Sequence, residues 1–198
     1  MAEVNLDSIQ AWIDQGRLDP SRQITPKELV ECRLARLKDG VKILGRNASA
    51  LRQPINIMVS RASESAIQAI EDAGGRVVTR YYTKDAIRRL LAGESVNSEE
   101  PLPVGEEHVA GVLAALYGPD GRRLYRLPDP TSRFDIEYYR DPMHRGYLSK
   151  QLMPGQSPSL FHRVPKPIDD EELQRIMKVK IKKMQAKKQL RRHDTRLF

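Results

Sequence analysis

The sequence SESAIQAIEDAGGRVV, at residues 63–78, sets the architecture of the chain. Ser63 is a typical helix N-cap. After it, apolar residues recur at helical spacing on one face: Ala66, Ile67, Ile70 and Ala73. Gly74 and Gly75 end the helix, and the β-branched run from Arg76 predicts a strand. The stretch therefore predicts a helix, a tight turn and a strand in immediate succession.

The two glycines raise the alternative of a phosphate-binding loop, because glycine-rich loops bind phosphates in nucleotide-binding proteins. Such a loop precedes a helix, so that free N–H groups and the positive end of the helix dipole point at the anion. Gly74 and Gly75 follow their helix and lie at its carbonyl end. We therefore interpret Gly74 as the left-handed residue that ends the helix and Gly75 as the turn into the strand.

Strand-like sequences precede this helix. Residues 41–44, VKIL, form a short apolar run ended by Gly45, and residues 55–60, INIMVS, alternate apolar side chains on one face. A strand, a helix and a strand in so few residues indicate a β-α-β unit with parallel strands and the helix on one face. For residues 1–93 we predict a small layered α/β domain of short, partly parallel strands with helices.

Three more helices complete the predicted domain. Leu6, Ile9 and Ile13 give the first an apolar stripe that ends before Gly16. The second begins with a capping box, in which Thr25 is followed three residues later by Glu28. The third runs from an N-cap at residue 83 to a glycine at residue 93.

The composition indicates a modest core with long appendages and a polyanionic partner. Of the 198 residues, 39% are hydrophobic and 30% charged, and the net charge is +8. RNA, DNA or an anionic membrane surface would each match this charge. No apolar run approaches the ~20 residues that span a bilayer. Cys32 is the single cysteine, which excludes an intramolecular disulfide, and we expect it at or near the core.

The rest of the chain is predicted as two further parts. Residues 94–166 begin with an acidic, proline-bearing stretch and become rich in Pro, Gly, Arg and Tyr, which predicts an irregular extension. Within it, residues 109–118, VAGVLAALYG, predict a short buried helix. Residues 167–198 predict a basic amphipathic helix with acidic residues in its first turn. That helix could dock on a protein while neutralising RNA phosphates, lie on an anionic membrane, or be solvated.

The pattern of residues 41–78 resembles the large-subunit ribosomal protein fifteen family. The matching positions are Lys42, Ile43, Leu44, Gly45, Ile55, Ile57, Ser63, Ala66, Ile70 and Gly74. Asn47 departs from the family's usual glycine or threonine, but asparagine tolerates the left-handed conformation. The stretches NLDSIQAWIDQGRLDP and DIEYYRDPMHRGYLSKQLMPGQSPSLFHR are similar to the fungal mitochondrial branch of the family.

The resemblance implies a structural constituent of the mitochondrial large ribosomal subunit, located in the matrix. Its implied partners are large-subunit rRNA and neighbouring ribosomal proteins, without membrane insertion, cofactor, metal or catalysis. Family members normally carry a Gly-, Arg- and Lys-rich arm ahead of the matched part. We expect this arm to be absent here, either because the sequence is a fragment or because this form has lost it.

Arginines interleaved with aromatic residues favour RNA contact in the extension and the terminal helix, because guanidinium groups bind phosphates and rings stack on bases. The extension's aromatic residues are Tyr125, Phe134, Tyr138, Tyr139 and Tyr147. The predicted RNA-binding residues are Arg122, Arg123, Arg126, Arg133, Arg140, Arg145, Lys150, Lys182, Lys183, Lys187, Lys188, Arg191 and Arg192. The alternative is a solvated basic loop whose aromatic residues pack back on the domain.

Two other functions have some support in the sequence. A free-standing RNA-binding or ribosome assembly factor would have the same basic composition. An enzyme would need a catalytic pair, and His108 beside Glu107, or His144 near Asp141, could supply one. Neither spacing is specific for a metal or an acid–base pair, which favours a loop histidine in the first case and a turn stabilised by Asp141 and Pro142 in the second.

Overall fold

Short parallel strands and helices make up the part of the chain that the structure describes. The computed structural model describes residues 1–100, 102–103, 105–117, 121–149, 152 and 158. The strands are β1 (Ala2–Asn5), β2 (Val41–Leu44), β3 (Asn56–Val59), β4 (Arg61–Ala62) and β5 (Arg76–Thr79). The helices are α1 (Leu6–Asp14), α2 (Pro26–Glu31), α3 (Glu64–Asp72), α4 (Lys84–Leu91), α5 (Val109–Ala115) and α6 (Arg133–Arg140). The predicted α/β class is confirmed.

Two parallel sheets share one segment of chain. One sheet has the strand order β1-β2-β4, and the other pairs β3 with β5. Since only Ser60 separates β3 from β4, residues 56–62 contribute to both sheets. The helix α3 connects them to β5, which confirms the predicted β-α-β unit. The sequence analysis missed β1, because its four residues, AEVN, are too few to show a period.

Ser60 joins the sheets through buried hydrogen bonds. Its N–H donates to the Val41 carbonyl (3.0 Å), and its hydroxyl accepts from the Val41 N–H (3.2 Å). Its carbonyl accepts from the Tyr139 hydroxyl (2.9 Å). Ser60 and Tyr139 are both fully buried, so these bonds form away from water and fix β2, β3 and α6 relative to one another.

The strand β3 contributes to two apolar cores on its two faces. Ile57 and Val59 lie in the first core, with Leu6, Ile9, Leu29, Ile43, Ala66 and Ile70. Met58 faces the other way into the second core, with Val78, Tyr82, Ile87, Leu90, Leu127, Tyr139 and Leu148. Cys32 packs at the edge of the first core, as predicted. A strand that is buried on both faces is typical of a parallel sheet covered on each side.

The second core includes residues well beyond residue 93. Leu127, Tyr139 and Leu148 are nearly or fully buried in it. The sequence of this region shows no sustained period, and α6 was not predicted, because its eight residues, RFDIEYYR, bury only Ile136 and Tyr139. The described part of the extension thus packs against the domain through a few large side chains.

The helix α5 corrects one prediction. A helix was predicted there and is present at Val109–Ala115, but none of its residues is buried. Leu113 is 53% exposed and Tyr117, just after the helix, is 62% exposed. An apolar run alone does not bring a helix into a core; it needs an element to pack against, and among the described residues its main neighbour is the 3₁₀ turn that precedes it. The predicted helix at residues 167–198 lies outside the described residues.

The predicted helix ends are confirmed. The Ser63 hydroxyl accepts from the Ala66 N–H (3.3 Å). Gly74 has φ +81°, its N–H donates to the Glu71 carbonyl (2.9 Å), and the Gly75 N–H donates to the Ile70 carbonyl (2.8 Å). This pair of bonds is a Schellman motif, which leaves no room for an anion at the carbonyl end. The capping box at Thr25 is also present.

Gly75 is required for space rather than for conformation, and this gives a testable difference. A Cβ atom at Gly75 would overlap the Ile55 carbonyl oxygen, and that backbone cannot move without disturbing the β3–β5 ladder. We expect Gly75→Ala to lower the free energy of unfolding by about 3 kcal/mol in urea denaturation. As a control, Gly111→Ala has nothing within 4 Å and should raise it by about 0.5 kcal/mol. Equal effects of the two variants would contradict this account.

Candidate nucleic-acid interface

Three of the predicted RNA-binding arginines are paired with carboxylates. Arg145 donates from Nε and Nη2 to both oxygens of Glu71 (2.6 and 2.8 Å). Arg140 donates to Glu137 (2.6 Å), and Arg126 lies 3.4 Å from Asp129. A phosphate would have to compete with these carboxylates for the guanidinium groups. The three arginines are therefore weaker candidates for RNA contact than the sequence suggested.

Arg145 is held in place by its backbone as well as its side chain. It adopts a left-handed conformation, φ 54°, after a 3₁₀ turn at Pro142–His144. The Asp141 carboxylate caps that turn by accepting from the Met143 N–H (2.9 Å), which confirms the predicted turn at Asp141 and Pro142. The Arg145 carbonyl then accepts from the Thr79 N–H (2.9 Å), so this residue lengthens the β3–β5 sheet at its edge.

Arg122, Arg123 and Arg133 are free to bind a ligand. All three are exposed, and none has a carboxylate oxygen within 4.0 Å among the described residues. Arg122 and Arg123 follow α5, while Arg133 begins α6 beside Phe134, which is 75% exposed. They lie on separate elements. Lys150 and the predicted residues of the terminal helix lie outside the described residues: Lys182, Lys183, Lys187, Lys188, Arg191 and Arg192.

The aromatic residues of the extension divide into packed and exposed groups. Tyr139 and Tyr147 are buried, and burial raises the pKa of both hydroxyls. Tyr138 is half-buried and lies against His144, with ring centroids 4.2 Å apart. Tyr125 is 47% exposed and carries the Arg89 guanidinium 3.9 Å from its ring centroid. The alternative that the aromatic residues pack back on the domain is thus correct for Tyr139 and Tyr147.

A buried charge network explains why Arg126 is unavailable. Arg80 is fully buried, with Nη2 4.0 Å from Asp129 and its guanidinium 4.5 Å over the Tyr147 ring. The Tyr147 hydroxyl donates to the same Asp129 carboxylate (2.5 Å), and the Leu102 N–H donates to its other oxygen (3.1 Å). Asp129 therefore serves the buried Arg80 first, and Arg126 adds a second cation at the edge of the network.

The structure also shows free cations that the sequence analysis missed. Arg17 and Arg89 have no carboxylate within 4.0 Å among the described residues, but each lies over an aromatic ring. Apart from these and the three already named, the cations without such a carboxylate are Arg33, Arg36, Lys38, Lys42, Arg46, Arg52 and Lys84. A signal was present, because residues 32–63 contain seven basic residues and one acidic residue, Asp39. It was missed because attention went to cations interleaved with aromatic residues, and this stretch has none.

The histidines do not assemble a catalytic or metal-binding group in the described part of the chain. His144 Nδ1 lies 3.0 Å from Asp141 without forming a hydrogen bond, and His108 Nε2 lies 3.7 Å from Glu107 at the surface. Across the described ranges no three or more His, Cys, Asp or Glu side chains come close enough to hold a metal ion. Over the same ranges, no helix is both long and apolar enough to cross a membrane.

The Arg145–Glu71 pair predicts a measurable titration. The Arg145 guanidinium holds the pKa of the Glu71 carboxyl below its usual value. A carboxyl with a lowered pKa in the folded state stabilises the fold above its unfolded-state pKa, and this is lost as pH falls through the folded-state value. We expect Arg145→Gln to raise the pKa of Glu71 in an NMR titration. Arg133→Gln, the matched control, should leave it unchanged; a Glu71 pKa equal in all three proteins would contradict the pairing.

The comparison with known proteins follows the division seen in the structure. Residues 3–78, which contain both sheets, match the family described as ribosomal proteins 50S-L15 and 50S-L18e and their 60S counterpart. The chain is 44% identical over 92 residues to large ribosomal subunit protein uL15 of Methylorubrum populi, which covers 46% of this chain and 53% of that protein. This similarity is thus confined to about half of each chain.

Two fungal proteins are similar over a longer range. Large ribosomal subunit protein uL15m of Neurospora crassa is 52% identical over 185 residues, 92% of this chain and 59% of that protein. The uL15m protein of Schizosaccharomyces pombe is 35% identical over 147 residues, 74% of this chain and 48% of that protein. The chain thus spans less than two thirds of the length of these relatives. It belongs to the L15 family of large-subunit ribosomal proteins, and beyond the family's shared α/β part it is similar to the uL15m proteins of fungi.

Proposed function

We propose that the protein is a structural constituent of the mitochondrial large ribosomal subunit, where it binds large-subunit rRNA and neighbouring ribosomal proteins and catalyses no reaction. One observation carries this proposal: the similarity to the uL15m protein of Neurospora crassa extends over 92% of the chain. Since that relative and the Schizosaccharomyces pombe protein are both mitochondrial forms, we place this protein in the mitochondrial matrix.

The charge distribution supports RNA as the main partner. The net charge is +8, and the free arginines and lysines of the described residues are exposed or half-exposed. Exposed cations without carboxylate partners gain the most from RNA, because each phosphate contact releases condensed counterions. We propose that Arg122, Arg123 and Arg133 contact rRNA directly. Arg126, Arg140 and Arg145 would do so only by exchanging a carboxylate for a phosphate.

The three-part organisation suggests how the contacts are distributed. We propose that residues 1–93 form the family's domain, that residues 94–166 are an extension of the mitochondrial type, and that residues 167–198 are a basic helix. In that helix an apolar stripe would dock on a neighbouring protein, while Lys182, Lys183, Lys187, Lys188, Arg191 and Arg192 would neutralise rRNA phosphates, as Lys150 would in the extension.

Sedimentation of the endogenous protein tests this function. The protein, tagged at its C terminus, is followed through a density gradient of a mitochondrial lysate, and its copy number is measured by quantitative mass spectrometry. We expect it to migrate with the large subunit at about one copy per particle, as a fixed structural component must.

Two outcomes would overturn the proposal. Migration with precursor particles alone would indicate an assembly factor, and migration free of ribosomal particles would indicate a free-standing RNA-binding protein. A mitochondrial matrix protein tagged in the same way serves as the control for nonspecific sedimentation.

A further inference from the structure

The stretch around β2 carries the densest run of free cations in the described chain. Lys42 lies within the strand, between Glu3 of β1 and Arg61 of β4 in the sheet register. Arg33, Arg36 and Lys38 precede the strand, and Arg46 and Arg52 follow it. A four-residue strand spans about 13 Å, so these cations lie along and at both ends of one short element.

The alternation of β2 places Lys42 on the face away from the core. Val41 and Ile43 are buried in the first core, whereas Lys42 and Leu44 are only partly buried. Arg61, on the neighbouring strand, is paired with Asp135 of α6, but no carboxylate lies within 4.0 Å of the Lys42 amine among the described residues. Lys42 is therefore the central free cation of this sheet face.

Opposing charges near these cations are few. Within residues 32–63 the single acidic residue is Asp39, whose carboxylate accepts from the Lys84 N–H (3.2 Å). Glu3 lies beside Lys42 in register, and Asp7 accepts from the Asn47 amide (3.2 Å). Elsewhere in the described residues most lysines and arginines are paired. Those within 4.0 Å of a carboxylate are Arg22, Lys27, Arg61, Arg76, Arg80, Arg88, Arg126, Arg140 and Arg145.

The backbone that carries these cations is fixed before any ligand binds. The Gly45 N–H donates to the Ser63 hydroxyl (3.1 Å), and Asn47 takes the left-handed conformation (φ 48°) that its amide side chain tolerates. The Arg52 N–H donates to the Gln10 side chain (3.1 Å). A fixed backbone reduces the entropy lost on binding, since only the side chains remain to be ordered.

We propose that Arg33, Arg36, Lys38, Lys42, Arg46 and Arg52, which we call the β2 cation surface, bind the phosphate backbone of rRNA. This inference rests on the proposed function and adds a second contact region, formed by the family's domain and separate from the extension. Its chemistry favours RNA over a membrane, because the large exposed apolar residues of the described chain all lie outside residues 33–52.

The experiment compares two full-length variants with equal loss of charge. The test variant combines Arg36→Gln, Lys38→Gln, Lys42→Gln and Arg46→Gln. The control variant combines Arg22→Gln, Lys27→Gln, Arg76→Gln and Arg88→Gln, whose side chains are each within 4.0 Å of a carboxylate. Binding of the full 198-residue chain to a transcript of mitochondrial large-subunit rRNA is measured by filter binding at several salt concentrations.

We expect the slope of log K against log salt to fall by about 3 in the test variant, since each lost phosphate contact removes about 1 from it. The slope of the control variant should fall by less than about 1. Urea denaturation of both variants checks that they remain folded, and a test variant that unfolds is replaced by Lys42→Gln with Arg46→Gln, for which the expected fall is about 2.

Equal slopes in the folded test and control variants would overturn the β2 cation surface. Unchanged RNA binding together with lost binding to phosphatidylserine vesicles would also overturn it, in favour of a membrane. These failures differ from failure of the proposed function: a protein that migrates with the large subunit but shows equal slopes keeps its ribosomal role and loses only this contact region.

Discussion

Ser60 lies where the chain passes from one sheet to the other, and the rest of the structure depends on its buried hydrogen bonds. The Val41 backbone is bonded to it twice, so β2 cannot shift in register without losing both bonds. The Tyr139 hydroxyl occupies its carbonyl, which brings α6 against the same point. A buried carbonyl left without a donor costs about 1–3 kcal/mol, so α6 and the sheets stabilise one another.

This dependence determines which cations remain free for a partner. The extension is fastened to the domain by Tyr139 at Ser60, by Arg145 at Glu71, and internally by Tyr147 at Asp129. Each attachment uses a side chain that the sequence favoured for RNA binding. The same residue types that suit RNA, arginine and tyrosine, also suit attachment of an irregular segment to a small domain, because they combine a long apolar body with hydrogen-bond donors.

The sequence predicted the features that local chemistry determines. A cap such as Ser63 and a left-handed Gly74 or Asn47 act within a few residues, so their roles follow from neighbours in the chain. Burial of Tyr139 and pairing of Arg126 depend on residues 79 positions and 46 positions away, at Ser60 and at Arg80, the residue that draws Asp129 inward. No short pattern records such partners. The charge run before and after β2 was visible, but its availability followed only from the absence of partners in the described part of the folded chain.

Free and paired cations are therefore distributed by a common physical rule. Acidic residues are concentrated in residues 94–107 and at the ends of helices, where several accept from arginines that connect the extension to the domain. Residues 32–63 contain one acidic residue, and their backbone is ordered by neutral hydrogen bonds from Gly45 and Arg52. Because that order does not consume charge, the cations of the β2 cation surface keep their full attraction for phosphate. A segment whose backbone is ordered without its own basic side chains can present them to an RNA partner.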